Sequence, residues 1–163
     1  MLNQAMIPEF KHEAASTRKI LERVPFDNPD WKPHEKSYTL ARMAGHVAEI
    51  IQWTTATINS DGLDFAKSGY TPFSPTSKEE LLERFDAQYN EALTQLENVS
   101  DETLKGSWRL QHGDHVIFTL PRIATLRSFV MNHLIHHRGQ LSVYLRLLNV
   151  PVPGMYGPSA DER

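Results

Sequence analysis

The stretch PRIATLRSFVMNHLIHHRGQLSVYLRLL, residues 121–148, predicts one long helix around which the rest of the chain is arranged. Pro121 suits the first position of a helix, where its missing N–H costs nothing, and a continuous helix of this length would be about 42 Å long. His133 and His137 lie one turn apart within an apolar stripe at helical spacing, formed by Leu126, Phe129, Val130, His133, His137, Leu141, Tyr144 and Leu148. Two imidazoles in this relation can bind a single metal ion.

A shared metal ion would also explain why two histidines stand among apolar residues. A lone histidine on an apolar face is more often a core residue than a ligand, but each buried imidazole needs hydrogen-bond partners that such a core lacks. His46 lies in the middle of a second predicted helix, on the flank of its inward face near Trp53, and is the natural third ligand. Three protein ligands leave one coordination position for water or substrate, as in catalytic zinc sites.

Imidazole ligands do not select one metal. A single divalent ion is predicted, with zinc or nickel first and iron, cobalt or manganese as further options. In the helix of a zinc peptidase a glutamate general base follows the first histidine, whereas Leu134 occupies that position here, so a peptidase of that type is disfavoured. Glu49, one turn after His46, is a candidate for orienting a ligand or acting as a base, although an exposed helical glutamate is the more common case.

Composition limits the class of protein. The chain has 163 residues, no cysteine and a net charge of −3, so disulfides and thiolate zinc sites are excluded and nucleic acid is not favoured as a partner. No segment approaches a membrane span in length and apolarity, and no secretory pattern is present. These features predict one domain over residues 1–163, located in the cytoplasm.

Helical periodicity recurs in three further segments. Residues 7–24, 39–59 and 78–98 are predicted helices, the second capped by Thr39 and the third opened by a capping box at Ser77. Residues 100–120 contain a Gly-Asp turn that favours a small hairpin or an irregular excursion. The predicted fold is therefore all-α, a bundle of four long helices with long loops.

The two histidine-containing segments resemble the DinB/YfiT-like superfamily of small helical proteins, which is distinct from the DNA polymerase called DinB. The resemblance rests on AGHVAEIIQW around His46 and on NHLIHHRGQLSVYLRLLNVPVPGMYGPSADE near the C-terminus. It implies an up-and-down-type four-helix bundle, often a homodimer, with one divalent metal on His46, His133 and His137. It also implies a range of activities: thiol transferases that use low-molecular-weight thiols, isomerases that use such thiols, and metal-dependent hydrolases.

Two functions from different classes follow. In the first, the protein is a metal-dependent transferase or hydrolase, in which a low-molecular-weight thiol or metal-activated water attacks an electrophilic small molecule. In the second, it is a non-catalytic dimeric binding or scaffold protein of the stress response, with a structural or vestigial metal. A coordination position open to a pocket lined by Trp53 and Tyr144 would favour the enzyme. A fourth protein ligand would favour the scaffold.

A homodimer is predicted from the opposite side of the long helix. Met131, Leu134, Ile135 and Leu145 make the middle of this helix apolar nearly all the way round, and such a helix is buried on more than one side. The alternative is that residues 100–120 and the C-terminal tail cover this surface within one chain. Gly139 costs about 1 kcal/mol relative to alanine inside a helix, which indicates a close backbone approach or a helix crossing.

Overall fold

The computed structural model describes residues 1–162, in which helices pack against a small three-stranded sheet. The helices in chain order are α1 (Asn3–Leu21), α2 (Leu40–Glu49), α3 (Trp53–Asn59), α4 (Lys78–Asn98), α5 (Asp101–Lys105), α6 (Arg122–Thr125) and α7 (Asn132–Leu147). The strands are β1 (Gly62–Asp64), β2 (Ser107–His112) and β3 (His115–Pro121). The prediction of an all-α four-helix bundle is therefore wrong. Among these residues, no helix combines the length and apolarity needed to cross a bilayer.

The sheet explains this error. Strands β2 and β3 form an antiparallel hairpin around Gly113, whose φ of +58° suits a tight turn, and β1 adds to β2 in parallel. Along β2 the burial alternates, with Trp108 and Leu110 facing the core, as the two-residue period of a strand requires. The Gly-Asp turn thus joins the two strands of a hairpin, which is one of the two alternatives predicted for residues 100–120. Strand β1 has only three residues and shows no such period.

Two of the predicted helices, residues 39–59 and 121–148, are each interrupted. Pro121 ends β3 in an extended conformation (ψ 143°) and is the N-cap of α6, not its first helical residue, and α6 and α7 are separated by a π-helical turn at Leu126–Met131. A 3₁₀ turn at Ile50–Gln52 likewise separates α2 from α3. Hydropathy shows which side of a segment is apolar. The 3₁₀ turn and the π-helical turn are too short to shift that apolar pattern, so the sequence did not reveal them.

The capping residues fix where α2 and α4 begin. Thr39 accepts a hydrogen bond from the backbone N–H of Arg42 at 3.2 Å, and Ser77 accepts one from that of Glu80 at 3.1 Å. Both side chains satisfy a backbone donor that has no partner within the helix. These contacts place α2, and with it His46, in register with the core.

Helices α1, α2, α4 and α7 surround one hydrophobic cluster that the sheet extends at one end. The largest fully buried side chains come from both the helices and the sheet: Trp108, Phe85, Ile20, Leu21, Leu40, Ile50, Ile51, Leu81, Leu96, Leu104, Leu126 and Leu134. His133 and His137 lie at the edge of this cluster and are partly exposed. The core therefore holds α2 and α7 together while leaving the imidazoles accessible from one side.

A buried ion pair joins α1, α7 and the C-terminal tail. Arg138 is 2% exposed and lies 2.6 Å from the carboxylate of Glu13, which is 5% exposed. The Arg138 guanidinium also donates to the backbone carbonyl of Glu13, to Thr17 and to the hydroxyl of Tyr156. Tyr156 in turn donates to Glu13 at 2.8 Å. The tail is thus fastened to the helix that carries His137.

Candidate metal centre

His46, His133 and His137 come together at the contact between α2 and α7. One ligand nitrogen from each ring can be chosen so that all three lie within 4.8 Å of one another. The ring centroids are 4.4 Å apart for His46 and His137, 4.6 Å for His133 and His137, and 5.1 Å for His46 and His133. No further Asp, Glu, His or Cys within residues 1–162 joins this cluster.

The spacing of the nitrogens fits a single metal ion. The Nε2 atoms of His46 and His133 are 3.3 Å apart. Two imidazole nitrogens bound to a tetrahedral zinc at about 2.0–2.1 Å would be separated by about 3.4 Å. The donor set and its spacing therefore suit a divalent ion with imidazole ligands, without selecting among zinc, nickel and the other candidates.

Two of the rings are oriented by a side chain one turn further along their helix. The Nδ1 atom of His46 lies 3.2 Å from Oε1 of Glu49, and Nδ1 of His137 lies 2.7 Å from Oε1 of Gln140. Both oxygens only accept hydrogen bonds, so Nδ1 carries the proton in each ring and Nε2 offers a lone pair to the centre. Such contacts are the usual means of fixing the tautomer of a histidine that binds metal.

Glu49 is fixed from several directions, and its side chain is buried, with the residue only 2% exposed. Arg42 donates to Oε1 at 2.9 Å, the hydroxyl of Tyr70 donates to the same oxygen at 2.5 Å, and the backbone N–H of Phe73 donates to Oε2 at 3.1 Å. Burial by itself would raise the pKa of Glu49, but the hydrogen bonds from His46, Tyr70 and Phe73 outweigh it and lower the pKa. Glu49 is therefore an ionised orienting group.

The contact between Glu49 and the loop before α4 depends on Gly45. A Cβ atom at Gly45 would lie 2.3 Å from the backbone oxygen of Phe73 and 2.8 Å from Pro75, closer than atoms can approach. The missing side chain lets this loop lie directly on α2. Tyr70 is held in place by Glu49, and burial together with this carboxylate raises its pKa to about 12.

Replacing Glu49 with glutamine is expected to lower metal affinity by about ten- to a hundredfold, the range typical for removing a group that orients a ligand. The amide removes the negative charge that holds Arg42 and Tyr70 as well as the Nδ1 proton of His46. Competition with a chromogenic chelator measures this affinity. Glu91→Gln, at an exposed position on α4, is the matched control. An affinity equal to that of the control would contradict an orienting role for Glu49.

The environment keeps two of the histidines neutral. Burial is the main reason that the pKa of His133 falls to about 4, with smaller contributions from His137 and His46. Burial, followed by the charge of His46, also lowers the pKa of His137 to about 4. A neutral imidazole is the form that binds a metal ion, so these two side chains are ready to bind well below neutral pH.

The metal-free protein is expected to lose stability as the pH falls from 6.5 to about 4. In that window His133 and His137 take up protons in the unfolded chain but not in the folded one, so acid favours unfolding. After allowance for partial solvent exposure the loss should be of the order of 1 kcal/mol per pH unit. Urea unfolding at a series of pH values measures it. The double variant His133→Gln/His137→Gln should show a flatter dependence, and an unchanged slope would contradict the assignment.

A cleft of about 450 Å³ opens beside His137. It is lined by residues from the loop before α2, from α2 and from α7: Lys36, Ser37, Tyr38, Met43, His137, Gln140 and Tyr144. The hydroxyl of Tyr144 donates to the backbone oxygen of Tyr38 at 3.2 Å. This volume is in the range of small-molecule sites, so the centre has an approach route from one side.

The remaining predicted positions fall elsewhere. Trp53 does not line this cleft; its ring packs edge-on against Phe65 and Phe129, at 5.7 and 5.3 Å. His136 is exposed and does not belong to the cluster of three histidines, and His112 and His115 lie at the hairpin turn. Sequence reasoning missed the orienting roles of Arg42, Tyr70 and Gln140. Only Gln140 had a visible signal, its position three residues after His137.

Comparison with known proteins agrees with this architecture. The Bacillus subtilis (strain 168) protein YrdA is 28% identical over 159 residues, which cover 96% of this chain and 89% of YrdA. A DinB-like protein from Bacillus cereus ATCC 10987 has a TM-score of 0.71 at 22% identity, with 94% of this chain and 97% of that one covered. The DinB-like protein YjoA from Bacillus subtilis has a TM-score of 0.68 at 20% identity, with 98% and 99% covered. At these identities the solved structures establish the fold alone. The DinB family model matches residues 1–163, and the chain therefore belongs to the DinB family.

Proposed function

We propose that the protein is a metal-dependent enzyme in which His46, His133 and His137 hold one divalent ion beside a small-molecule cleft. The observation that carries this proposal is the 3.3 Å separation of the His46 and His133 Nε2 atoms, within a group of three imidazoles that has His137 on the cleft wall. Zinc and nickel are the leading candidates for the ion, and iron, cobalt and manganese also suit this donor set.

The reaction we propose is transfer of a low-molecular-weight thiol to an electrophilic small molecule, or hydrolysis of such a molecule. A divalent ion at this position would supply Lewis acidity, which lowers the pKa of a coordinated thiol or water. The three imidazoles bind the ion and leave one side open, while Glu49 and Gln140 orient two of them. Glu49 is already engaged by Arg42, Tyr70 and Phe73, so its part is to orient His46 and not to accept a proton from substrate.

The polar groups of the cleft suit a small polar substrate. Ser37, Gln140 and Tyr144 offer hydrogen-bond donors and acceptors, and Met43 adds an apolar contact. Burial raises the pKa of Tyr144, so its hydroxyl stays protonated at neutral pH. These groups can position a substrate against the side of the centre that the protein leaves open.

An activity screen tests the proposal. Metal content is measured first, and the loaded protein is then tested with small thiols against a chromogenic electrophile and with chromogenic esters for hydrolysis. The metal-free protein and His137→Ala are the controls. Activity that depends on both the metal and His137 supports the enzyme. A loaded protein without activity towards any of these substrates supports the non-catalytic scaffold instead.

A homodimer through α7 is also part of this proposal, at a position that differs from the predicted one. Met131, Leu134 and Leu145 are buried within the single chain, so they need no partner. The outward face carries Ile135, Gly139, Val143 and Leu147 at four-residue spacing, and the last of these is 56% exposed. The close approach expected at Gly139 is absent, since a Cβ atom there would meet nothing within 4 Å.

A second copy packed on this face would bury the apolar side chains and meet the open surface at Gly139. Val143 is 57% exposed, and Val143→Glu is expected to convert a dimer into monomers, because a two-fold interface brings the two carboxylates close together. Ile135→Glu should act in the same direction, and sedimentation velocity measures both. Glu102→Gln, on α5, is the control. A monomeric wild type would contradict the dimer, and a dimer unaffected by either change would exclude this face.

A further inference from the structure

The cleft beside His137 contains one cationic side chain and no acidic one. Among its lining residues Lys36 carries a positive charge, and none is Asp or Glu. Within the part of the chain that the structure describes, Lys36 forms no salt bridge. Its neighbour Glu35 is exposed and does not line the cleft. The ammonium group is thus available to a ligand.

The backbone that carries Lys36 is held in place. The N–H of Lys36 donates to Nδ1 of His34 at 3.2 Å, and the N–H of Ser37 donates to the backbone oxygen of His34 at 3.0 Å. Trp31 anchors the same loop, because its ring packs edge-on against Tyr144 at 5.7 Å and its backbone oxygen accepts from Leu40 at 2.7 Å. The backbone of Lys36 is therefore held at the wall of the cleft, and its exposed side chain extends from a fixed point.

The charges around the centre do not cancel on the cleft side. The three imidazoles would be neutral as ligands, so a divalent ion keeps its full charge. Glu49 carries the nearest buried negative charge, but it is compensated by Arg42 at 2.9 Å and does not line the cleft. A cleft that has both a divalent ion beside His137 and the ammonium group of Lys36 on its wall would attract anions.

We infer that the cleft binds small molecules with two negatively charged ends, one at the histidine centre and the other at Lys36. This inference rests on the proposed metal centre. Ser37 and Tyr144 also line the cleft, where the Ser37 hydroxyl can donate to the connecting part of such a molecule and the Tyr144 oxygen, whose hydrogen goes to Tyr38, can accept from it. Lys36 is then a specificity-determining residue, since it separates ligands by the charge of the end that does not reach the centre.

Three probes of matched length test this inference. Glutarate, valerate and 4-aminobutyrate share one carboxylate and three methylene groups, and they differ at the far end by a carboxylate, a methyl and an ammonium group. Binding to the zinc-loaded protein is measured by isothermal titration calorimetry at low ionic strength. Glutarate should bind about three- to tenfold more tightly than valerate, since its two equivalent carboxylates give about a factor of two and one solvent-accessible ion pair a further factor of about 1.5 to 5, and 4-aminobutyrate should bind most weakly.

Two variants assign the preference to Lys36. Lys36→Gln should reduce the preference for glutarate over valerate to the about twofold that two equivalent carboxylates give, Lys36→Glu should make 4-aminobutyrate the preferred probe, and Lys32→Gln in the same loop should change nothing. Added salt should reduce the preference of the wild type. A wild type that prefers glutarate by no more than about twofold, or a larger preference that survives in Lys36→Gln, would overturn the inference.

Metal analysis before each titration separates this inference from the proposed function. If the protein holds no zinc, the proposed metal centre itself is contradicted. A protein that holds one zinc ion and does not distinguish the three probes would leave the metal centre in place and refute only the role of Lys36.

Discussion

Replacing His46, His133 or His137 with alanine is expected to lower metal affinity by about a hundredfold or more, since even loss of an orienting neighbour typically costs ten- to a hundredfold. Each variant keeps two imidazoles, which is fewer than the three protein ligands of a catalytic zinc site. Elemental analysis after dialysis gives the stoichiometry, and chelator competition gives the affinity. The rise in Tm on adding zinc should disappear in the same variants, because only binding to the folded state stabilises it.

His136→Ala is the matched control for these three variants. His136 adjoins His137 in sequence and its ring centroid lies 4.8 Å from that of His137, yet it is exposed and is not part of the three-residue cluster. It should retain one metal ion per chain. Full stoichiometry in all three ligand variants would contradict the assigned centre, and loss of metal in His136→Ala would show that the ligand set is different.

Arg138→Met is expected to lower the free energy of unfolding by about 3–5 kcal/mol, the usual cost of removing one partner from a buried ion pair. Glu13 would keep its negative charge at a position that is 5% exposed and would lose the guanidinium 2.6 Å away. Tyr156 would also lose its hydrogen bond from Arg138, which removes one of the contacts between the tail and α7. Urea unfolding of the metal-free protein measures this change without a contribution from the ion.

Two comparisons show whether the loss comes from an uncompensated charge. The double variant Glu13→Gln/Arg138→Met removes both charges and should recover a large part of the stability. Arg146→Met breaks the more exposed pair with Asp161, in which the Arg146 side chain is 50% exposed, and should cost no more than about 1 kcal/mol. If Arg138→Met costs no more than Arg146→Met, the buried pair does not stabilise the fold as the structure indicates.

The parts of the candidate site that depend on helical spacing could be predicted from the sequence. His133 and His137 share one side of α7 because they are four residues apart, and the inward position of His46 follows from the apolar residues around it. Glu49 was ambiguous because helical spacing does not tell whether a glutamate is covered. Its burial comes from Tyr70 and Phe73, in a connector that has no period and therefore could not be placed.

The fold could be predicted less completely, because part of it depends on contacts between residues far apart in the sequence. Thr39 and Ser77 mark the beginnings of α2 and α4 through contacts within a few residues of sequence. Strand β1 has only three residues, and it exists because β2, far along the chain, offers backbone partners to it. Such long-range pairing leaves little trace in local hydropathy, and the β2–β3 hairpin was considered only as an excursion from a bundle, which is why an all-α fold was predicted.

Gly45 has a consequence for which genetic changes this protein tolerates. One base change turns a glycine codon into an alanine codon, and in a helix alanine is the more favourable residue by about 1 kcal/mol. At this position the added methyl group would meet the backbone of Phe73 at 2.3 Å and push the loop away from Glu49. The substitution that best strengthens α2 as an isolated helix is therefore one that the site cannot accept.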